Sequence, residues 1–352
     1  MPVEWFGWFF LAFATSWGAA KVVIGFAKKH GMVDLPGDER RIHDRPIPKL
    51  GGLAVFIVLA ALILILLDVS DVLTAGAINI EHFFGFILGG AVLMIGGYVD
   101  DRYDLSPKLA ILFPVVAALI LIGFGVEIEK LTNPFGGVVM LAPWISDILV
   151  FFWLMGVMYT TKLLDGLDGL ATSVCSIGAA MIMLLSLSAA YYQPDVALLA
   201  FVVLGVFLGY LIWAWYPART FLGEGGSTFV GFTLGTLAVI SGGKLATALL
   251  VIGIPVLDVC WVIIRRYRAG GFSNVFKADR LHLHFRLFDL GWSQPRIVLF
   301  YCFVATAFGV TALLLQSHQK LIALGSLGLL MVIIIYAFAR RKKMGSGPDT
   351  GY

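Results

Sequence analysis

Charge is scarce in this chain. Only 13% of its 352 residues are Asp, Glu, Lys or Arg, while 60% are apolar, and mean hydropathy is +0.93. A soluble domain has about a quarter of its residues charged, so a water-soluble globular protein is excluded. Nucleic acid is not expected as a partner. Cysteine is also sparse. Cys175, Cys260 and Cys302 fall in apolar stretches without metal-ligand spacing and read as packing residues. No tandem repeat, low-complexity tract or long polar segment is present, and the longest polar connection, 265–296, is too short to fold alone. The first apolar run lacks a basic flank and a small-residue cleavage site, so it reads as a retained helix.

What remains is a series of apolar runs of membrane-helix length. Eleven are expected, at roughly 3–26, 50–67, 83–99, 109–126, 145–159, 170–190, 196–214, 227–241, 245–264, 297–315 and 320–339. The fold class predicted is all-α, a polytopic membrane bundle in one domain over 1–339, followed by a basic then polar tail, 340–352. Orientation follows from the 25 Lys and Arg residues, which concentrate in cytoplasmic connections. All but Lys21, Lys130, Lys244 and Lys320 fall in alternate loops and the tail. This places the N-terminus outside and the C-terminus in the cytoplasm.

Polar residues beside hydrocarbon are costly and mark function. The external acids Asp68, Asp71, Glu81, Glu127 and Glu129 read as solvated loop residues. Five dense motifs lie instead on the opposite side: His43–Gly52, Asp100–Lys108, Asp165–Gly169, Gly223–Ser227 and Asp279–Arg286. Their shared side predicts a shared site. A transporter would place its acids near the bilayer midplane on broken helices.

Asp100 and Asp101 end the third helix, where the macrodipole disfavours negative charge. A continuing helix would put Asp101, Asp104 and Lys108 on one face. Such a pair suits a hard divalent cation that also takes phosphate oxygens; the bland reading is a solvated helix end paired with Arg102 or Lys108. Asp165 and Asp168, spaced i and i+3, are expected in the first turn of the sixth helix, as site acids or as plain capping residues. Ser227 is expected to cap the eighth helix, with free N–H groups forming an anion site around Glu224. Arg280, His282, His284 and Arg286 alternate, and an extended segment would turn them to one face, suiting phosphate. They make a poor zinc site. Asp258 either pairs with Arg265 or Arg266 or supports the site from behind.

The five motifs, in this order over about 30–296, resemble the polyprenyl-phosphate N-acetylhexosamine-1-phosphate transferases, the WecA/TagO branch more than MraY. The segments that carry the resemblance start at His43, Asp100, Asp165, Phe221 and Asp279. The resemblance implies that a polyprenyl phosphate, such as undecaprenyl phosphate, attacks the β-phosphorus of a UDP-sugar, GlcNAc by default. UMP leaves and envelope glycan synthesis begins. It implies Mg²⁺, with Mn²⁺ as an alternative, and homodimers are common in that family. By the same resemblance Asp100, Asp101, Asp165 and Asp168 are catalytic, and Asp100, Asp101, Asp168 and Glu224 hold the metal. Lys49, Lys108, Lys162, Arg280, His282, His284 and Arg286 contact substrate phosphates, with His43 a weaker candidate.

Three residues depart from the family pattern: Lys162, Glu224 and Phe285 stand where relatives usually carry Asn, Asp and His. A lysine at a metal position repels the cation unless an acid compensates it, so Lys162 and Glu224 are expected to pair. Two other functions compete. A lipid-binding scaffold that has lost catalysis would release no UMP, and a transporter or flippase would show flux without UMP. An intramembrane aspartyl protease needs acids inside facing helices, whereas Asp100 and Asp165 sit at loop junctions.

Overall fold

The computed structural model describes the whole chain except residues 38–42, 77, 134–135, 243, 272–280, 316–317, 331–332 and 334–352. Arg280 and the tail 340–352 therefore lie outside the described residues. The elements are α1 (Val3–Lys29), β1 (Val33–Asp34), β2 (Ile47–Pro48), α2 (Gly51–Val69), α3 (Ile80–Tyr103), α4 (Pro107–Ala110) and α5 (Leu112–Gly123). They continue with β3 (Lys130–Thr132), β4 (Val138–Met140), α6 (Pro143–Leu164), α7 (Leu170–Leu187), α8 (Pro194–Ala214) and α9 (Gly223–Ile240). Last come α10 (Leu245–Val251), α11 (Gly253–Gly270), α12 (Leu283–Asp289) and α13 (Gln294–Leu314). Residues 318–330 are also helical. The fold is all-α and polytopic. Its two antiparallel ribbons, β1–β2 and β3–β4, are two and three residues deep.

Ten of the expected runs coincide with described helices, and 318–330 covers part of the eleventh. Seven helices, α1, α2, α3, α6, α7, α8 and α13, are each long and apolar enough to cross a bilayer. The ninth run is broken: α10 and α11 meet at 77°. Pro255 explains the break, because it has no N–H for the Val251 carbonyl and its ring crowds that position. The fourth run is the short pair α4 and α5.

The eighth run, α9, is buried along nearly its whole length, with Phe229 and Phe232 fully enclosed. A helix screened from lipid does not need a lipophilic surface, and α9 is rich in Gly and Thr. Small residues let membrane helices approach closely, and here they do. A Cβ on Gly52 would fall 2.0 Å from Gly226 Cα, and one on Gly97 would fall 2.1 Å from Gly225 N. These two contacts hold α2 and α3 against the start of α9, where the acids are.

Candidate active site

The five motifs converge on one cleft of about 440 Å³ at one end of the bundle. Asp101, Asp165, Asp168, Glu224, Lys49 and Lys162 all line it. Asp101 comes from the last turn of α3, Asp165 and Asp168 from the turn between α6 and α7, and Glu224 from the first turn of α9.

Most of these side chains are tied in place. Asp101 accepts a hydrogen bond from the Glu224 N–H at 3.1 Å, and its other oxygen lies 3.8 Å from Lys49 Nζ. An anion at a helix N-terminus is favoured by the free N–H groups and the macrodipole. The anion seated there is the protein's own Asp101. Ser227 is no cap: its hydroxyl donates to the Gly223 carbonyl from within α9. Gly223, at φ +76°, lies against the Lys49 carbonyl and Asp101 Oδ2, where a Cβ would collide. Glycine is required there for both conformation and space.

Lys49 also pairs with Asp34 at 3.1 Å, and Asp34 bonds His43 Nε2 at 2.8 Å. His43 Nδ1 meets the Arg45 carbonyl. Sequence reasoning missed Asp34 because the two-residue ribbon that pairs it with Ile47 has no readable periodicity. It missed Gln294 as well, whose Oε1 accepts from the Asp168 N–H at 3.2 Å.

Asp165 and Asp168 precede α7 instead of opening it, because Gly169 takes a left-handed conformation before the helix starts. Asp168 Oδ2 accepts from the Ala218 N–H at 2.8 Å. Burial raises its pKa, with the Ala218 bond opposing. Asp165 is the acid without an anchor: among the described residues no cation lies within salt-bridge distance. Burial first, then the charges of Glu224, Asp168 and Asp101, push its pKa up to about 7.

The expected pair forms. Lys162 Nζ and Glu224 Oε2 are 2.6 Å apart. The Glu224 side chain is 41% exposed, so the pair contributes little to stability; what it fixes is charge at the mouth of the cleft.

Other expected residues fall elsewhere. Asp100 does not line the cleft; its Oδ1 accepts from the Leu105 N–H at 3.0 Å and closes the end of α3. Asp104 is left-handed at φ 51°, so the helix stops and Lys108 leaves the face of Asp101, exposed on α4. His282 is extended, but α12 starts at Leu283 and takes His284 and Arg286 into a helix, with Arg286 outside the cleft lining. Asp258 supports this segment. Its carboxylate accepts from the Leu283 N–H at 3.0 Å and bonds His282 Nδ1 at 2.8 Å. His284 stacks on His282 with ring centroids 5.7 Å apart. His284 Nε2 also packs so tightly on Gly166 that a Cβ there would clash. Phe285 lines the cleft beside them.

The donor set suits a hard cation, since it is all carboxylate oxygen. Among the described residues no three of His, Cys, Asp and Glu are already grouped as a metal cage.

Residues 83–242 match the family model for glycosyl transferase family 4. Over 321 residues the chain is 29% identical to the probable undecaprenyl-phosphate N-acetylglucosaminyl 1-phosphate transferase of Bacillus subtilis (strain 168), covering 90% of this chain and 85% of that protein. It is 30% identical over 354 residues to the decaprenyl-phosphate N-acetylglucosaminephosphotransferase of Mycobacterium tuberculosis (strain ATCC 25618 / H37Rv), covering 92% and 86%. The chain belongs to glycosyl transferase family 4. The undecaprenyl-phosphate alpha-N-acetylglucosaminyl 1-phosphate transferase of Escherichia coli (strain K12) is 28% identical over 83% of this chain and 79% of its own length. The matched family 4 segment holds Asp101, Lys162, Asp165, Asp168 and Glu224. It leaves out the ribbon with Asp34 and Lys49 and the α12 segment, which complete the cleft from outside.

Proposed function

We propose that this chain transfers a sugar-1-phosphate, GlcNAc-1-phosphate by default, from a UDP-sugar to a polyprenyl phosphate such as undecaprenyl phosphate. UMP is released, and the reaction starts an envelope glycan. One observation carries the reading: six carboxylates and two lysines meet in one cleft at the end of an apolar bundle. A second cavity, of about 240 Å³, supports the lipid as acceptor. It is an apolar slot walled by Leu53, Met94, Ile95 and Tyr98, and it shares Lys49, Asp101 and Leu222 with the cleft. A lipid chain in the slot brings its phosphate to Lys49, while the nucleotide occupies the wider cleft.

In the reaction an oxygen of the lipid phosphate forms a bond to the β-phosphorus of the UDP-sugar. The bond from that phosphorus to the bridging oxygen breaks and UMP leaves. Catalysis of such a step rests on positioning and on charge stabilisation. Lys49, steered by Asp34 and Asp101, and Lys162, steered by Glu224, hold positive charge where two anions approach each other. Asp165 and Asp168, with no Lys or Arg in salt-bridge distance among the described residues, would hold Mg²⁺, or Mn²⁺ in its place, with Glu224 and Asp101 within electrostatic reach. The metal would neutralise charge on the transferred phosphoryl group. The cleft faces the cytoplasm of a plasma membrane in this reading, as the Lys and Arg partition expects.

The test is purified protein with undecaprenyl phosphate and a panel of UDP-sugars, following UMP. Release with UDP-GlcNAc that stops on chelation and returns with Mg²⁺ is expected. Lipid binding without UMP from any sugar would leave the scaffold reading in its place.

A further inference from the structure

The end of the bundle opposite the cleft holds a second polar cavity. α7 and α9 each run 18 residues from the acid loops to Leu187 and Ile240. At 1.5 Å per residue that end lies about 27 Å from the cleft. A cavity of about 610 Å³ there is lined by Lys130, Lys244 and Lys320. These are the only Lys or Arg residues in the connections on that side of the sequence partition. They come from β3, the start of α10 and the helical segment 318–330, far apart in sequence, and they meet in one cavity.

None of the three has a carboxylate within salt-bridge distance among the described residues. Lys244 Nζ donates to Ser186 Oγ at 2.9 Å and to Gln193 Oε1. Lys320, only 8% exposed, donates to Thr247 Oγ1 at 3.2 Å. Neutral acceptors satisfy hydrogen bonds but do not cancel charge, and an uncompensated buried ammonium is costly. Burial pushes Lys244 down to about 8, with Asp195 opposing and Lys320 adding to the fall. Beside the ammonium groups the wall is apolar, with Leu131, Leu185, Leu249 and Leu321. A small inorganic ion needs no such wall. An amphiphile does.

We propose that this cavity binds the phosphate group of an anionic amphiphile, its headgroup among Lys130, Lys244 and Lys320 and its chain along the leucines. The site is independent of the transfer reaction and its chemistry. Phosphate itself could come from a membrane lipid headgroup or from solution, and the experiment separates them. The full chain is placed in nanodiscs of phosphatidylcholine with or without phosphatidylglycerol. Native mass spectrometry then counts retained phosphatidylglycerol, and ³¹P line broadening follows inorganic phosphate. Wild type and the cleft variant Asp101→Asn are expected to retain phosphatidylglycerol equally. The Lys244→Gln/Lys320→Gln variant is expected to lose about tenfold in affinity. Lys130→Gln, exposed on its ribbon, gives a smaller loss and serves if the double variant does not fold. Phosphate binding that depends on these lysines without lipid retention would keep the anion site and assign it to the free ion. Equal retention of both probes by wild type and every lysine variant overturns the proposal.

Discussion

The two ends of the bundle handle charge in opposite ways. At the cleft, acids outnumber cations, yet Asp101, Asp168 and Glu224 each have a designated partner: a backbone N–H, a lysine, or both. At the far end three cations converge, and the hydrogen bonds of Lys244 and Lys320 go to neutral acceptors, with Asp195 acting on Lys244 only from beyond salt-bridge distance. The cleft is largely wired in advance, although among the described residues no cation lies within salt-bridge distance of Asp165, whereas the far cavity has charge still to be matched. Fixed dipoles and charges that need no rearrangement suit catalysis. Unmatched charge of one sign suits the holding of an ion. The same short connections between apolar helices therefore support two kinds of site.

The contrast is broken most decisively at the acids. Asp101→Asn and Asp168→Asn are each expected to lower UMP release by about 10³-fold or more while the proteins stay monodisperse in detergent. Near-normal turnover in either variant would remove that carboxylate from the essential electrostatics. Gly52→Val tests the scaffold beneath the acids. Its side chain would enter Gly226 backbone, and overpacking of this kind costs about 1–3 kcal/mol. A fall in melting temperature of several degrees is expected, with activity lost in parallel.

Lys162 and Glu224 give a finer test. Lys162→Asn leaves Glu224 unpaired and is expected to cut turnover about tenfold; adding Glu224→Asp should recover part of it. Because the pair is partly exposed, melting temperature should hardly move. Equal, additive losses in the two single variants and their combination would mean that the residues do not act together.

The smallest effect expected concerns pH. Asp165 titrates at about 7 in the fold and near 3.9 when unfolded, so the folded state binds the extra proton between those values. Stability from this group is full below about 4 and is lost as pH rises through about 7. Without added metal, Asp165→Asn should therefore melt a few degrees higher than wild type at pH 8, with the gap closing towards pH 4. An unchanged gap across that range would show that Asp165 is not the group whose ionisation strains the cleft.

Much of this was legible in the sequence. Apolar runs located the helices because hydrocarbon demands them, and the five motifs pointed to one site because charge beside lipid needs a reason. The Lys162–Glu224 pair was legible too, from two departures that compensate each other. What failed was local geometry. The left-handed turn at Asp104 takes Lys108 away from Asp101, and no residue type there announces it. The start of α9 is expected to offer its N–H groups as an anion site, but Gly225 and Gly226 there also serve helix contact, which only the facing Gly97 and Gly52 reveal. The extended reading gave way from Leu283 onward to a helix whose start is held by Asp258, 24 residues upstream of His282. Lys130, Lys244 and Lys320 stood out as a minority in the charge tally, but nothing in a linear chain says that they meet.

The apolar slot that joins the cleft at Lys49 and Asp101 has a kinetic consequence. A substrate arriving through it is drawn from a two-dimensional solution, so its effective concentration is its mole fraction in the surrounding amphiphile. Diluting the acceptor with inert detergent at constant total amount should slow turnover, while diluting the whole mixture with buffer should leave the acceptor term unchanged. The nucleotide, coming from water, would obey the ordinary bulk law. One enzyme would thus follow two concentration scales, meeting at a single lysine.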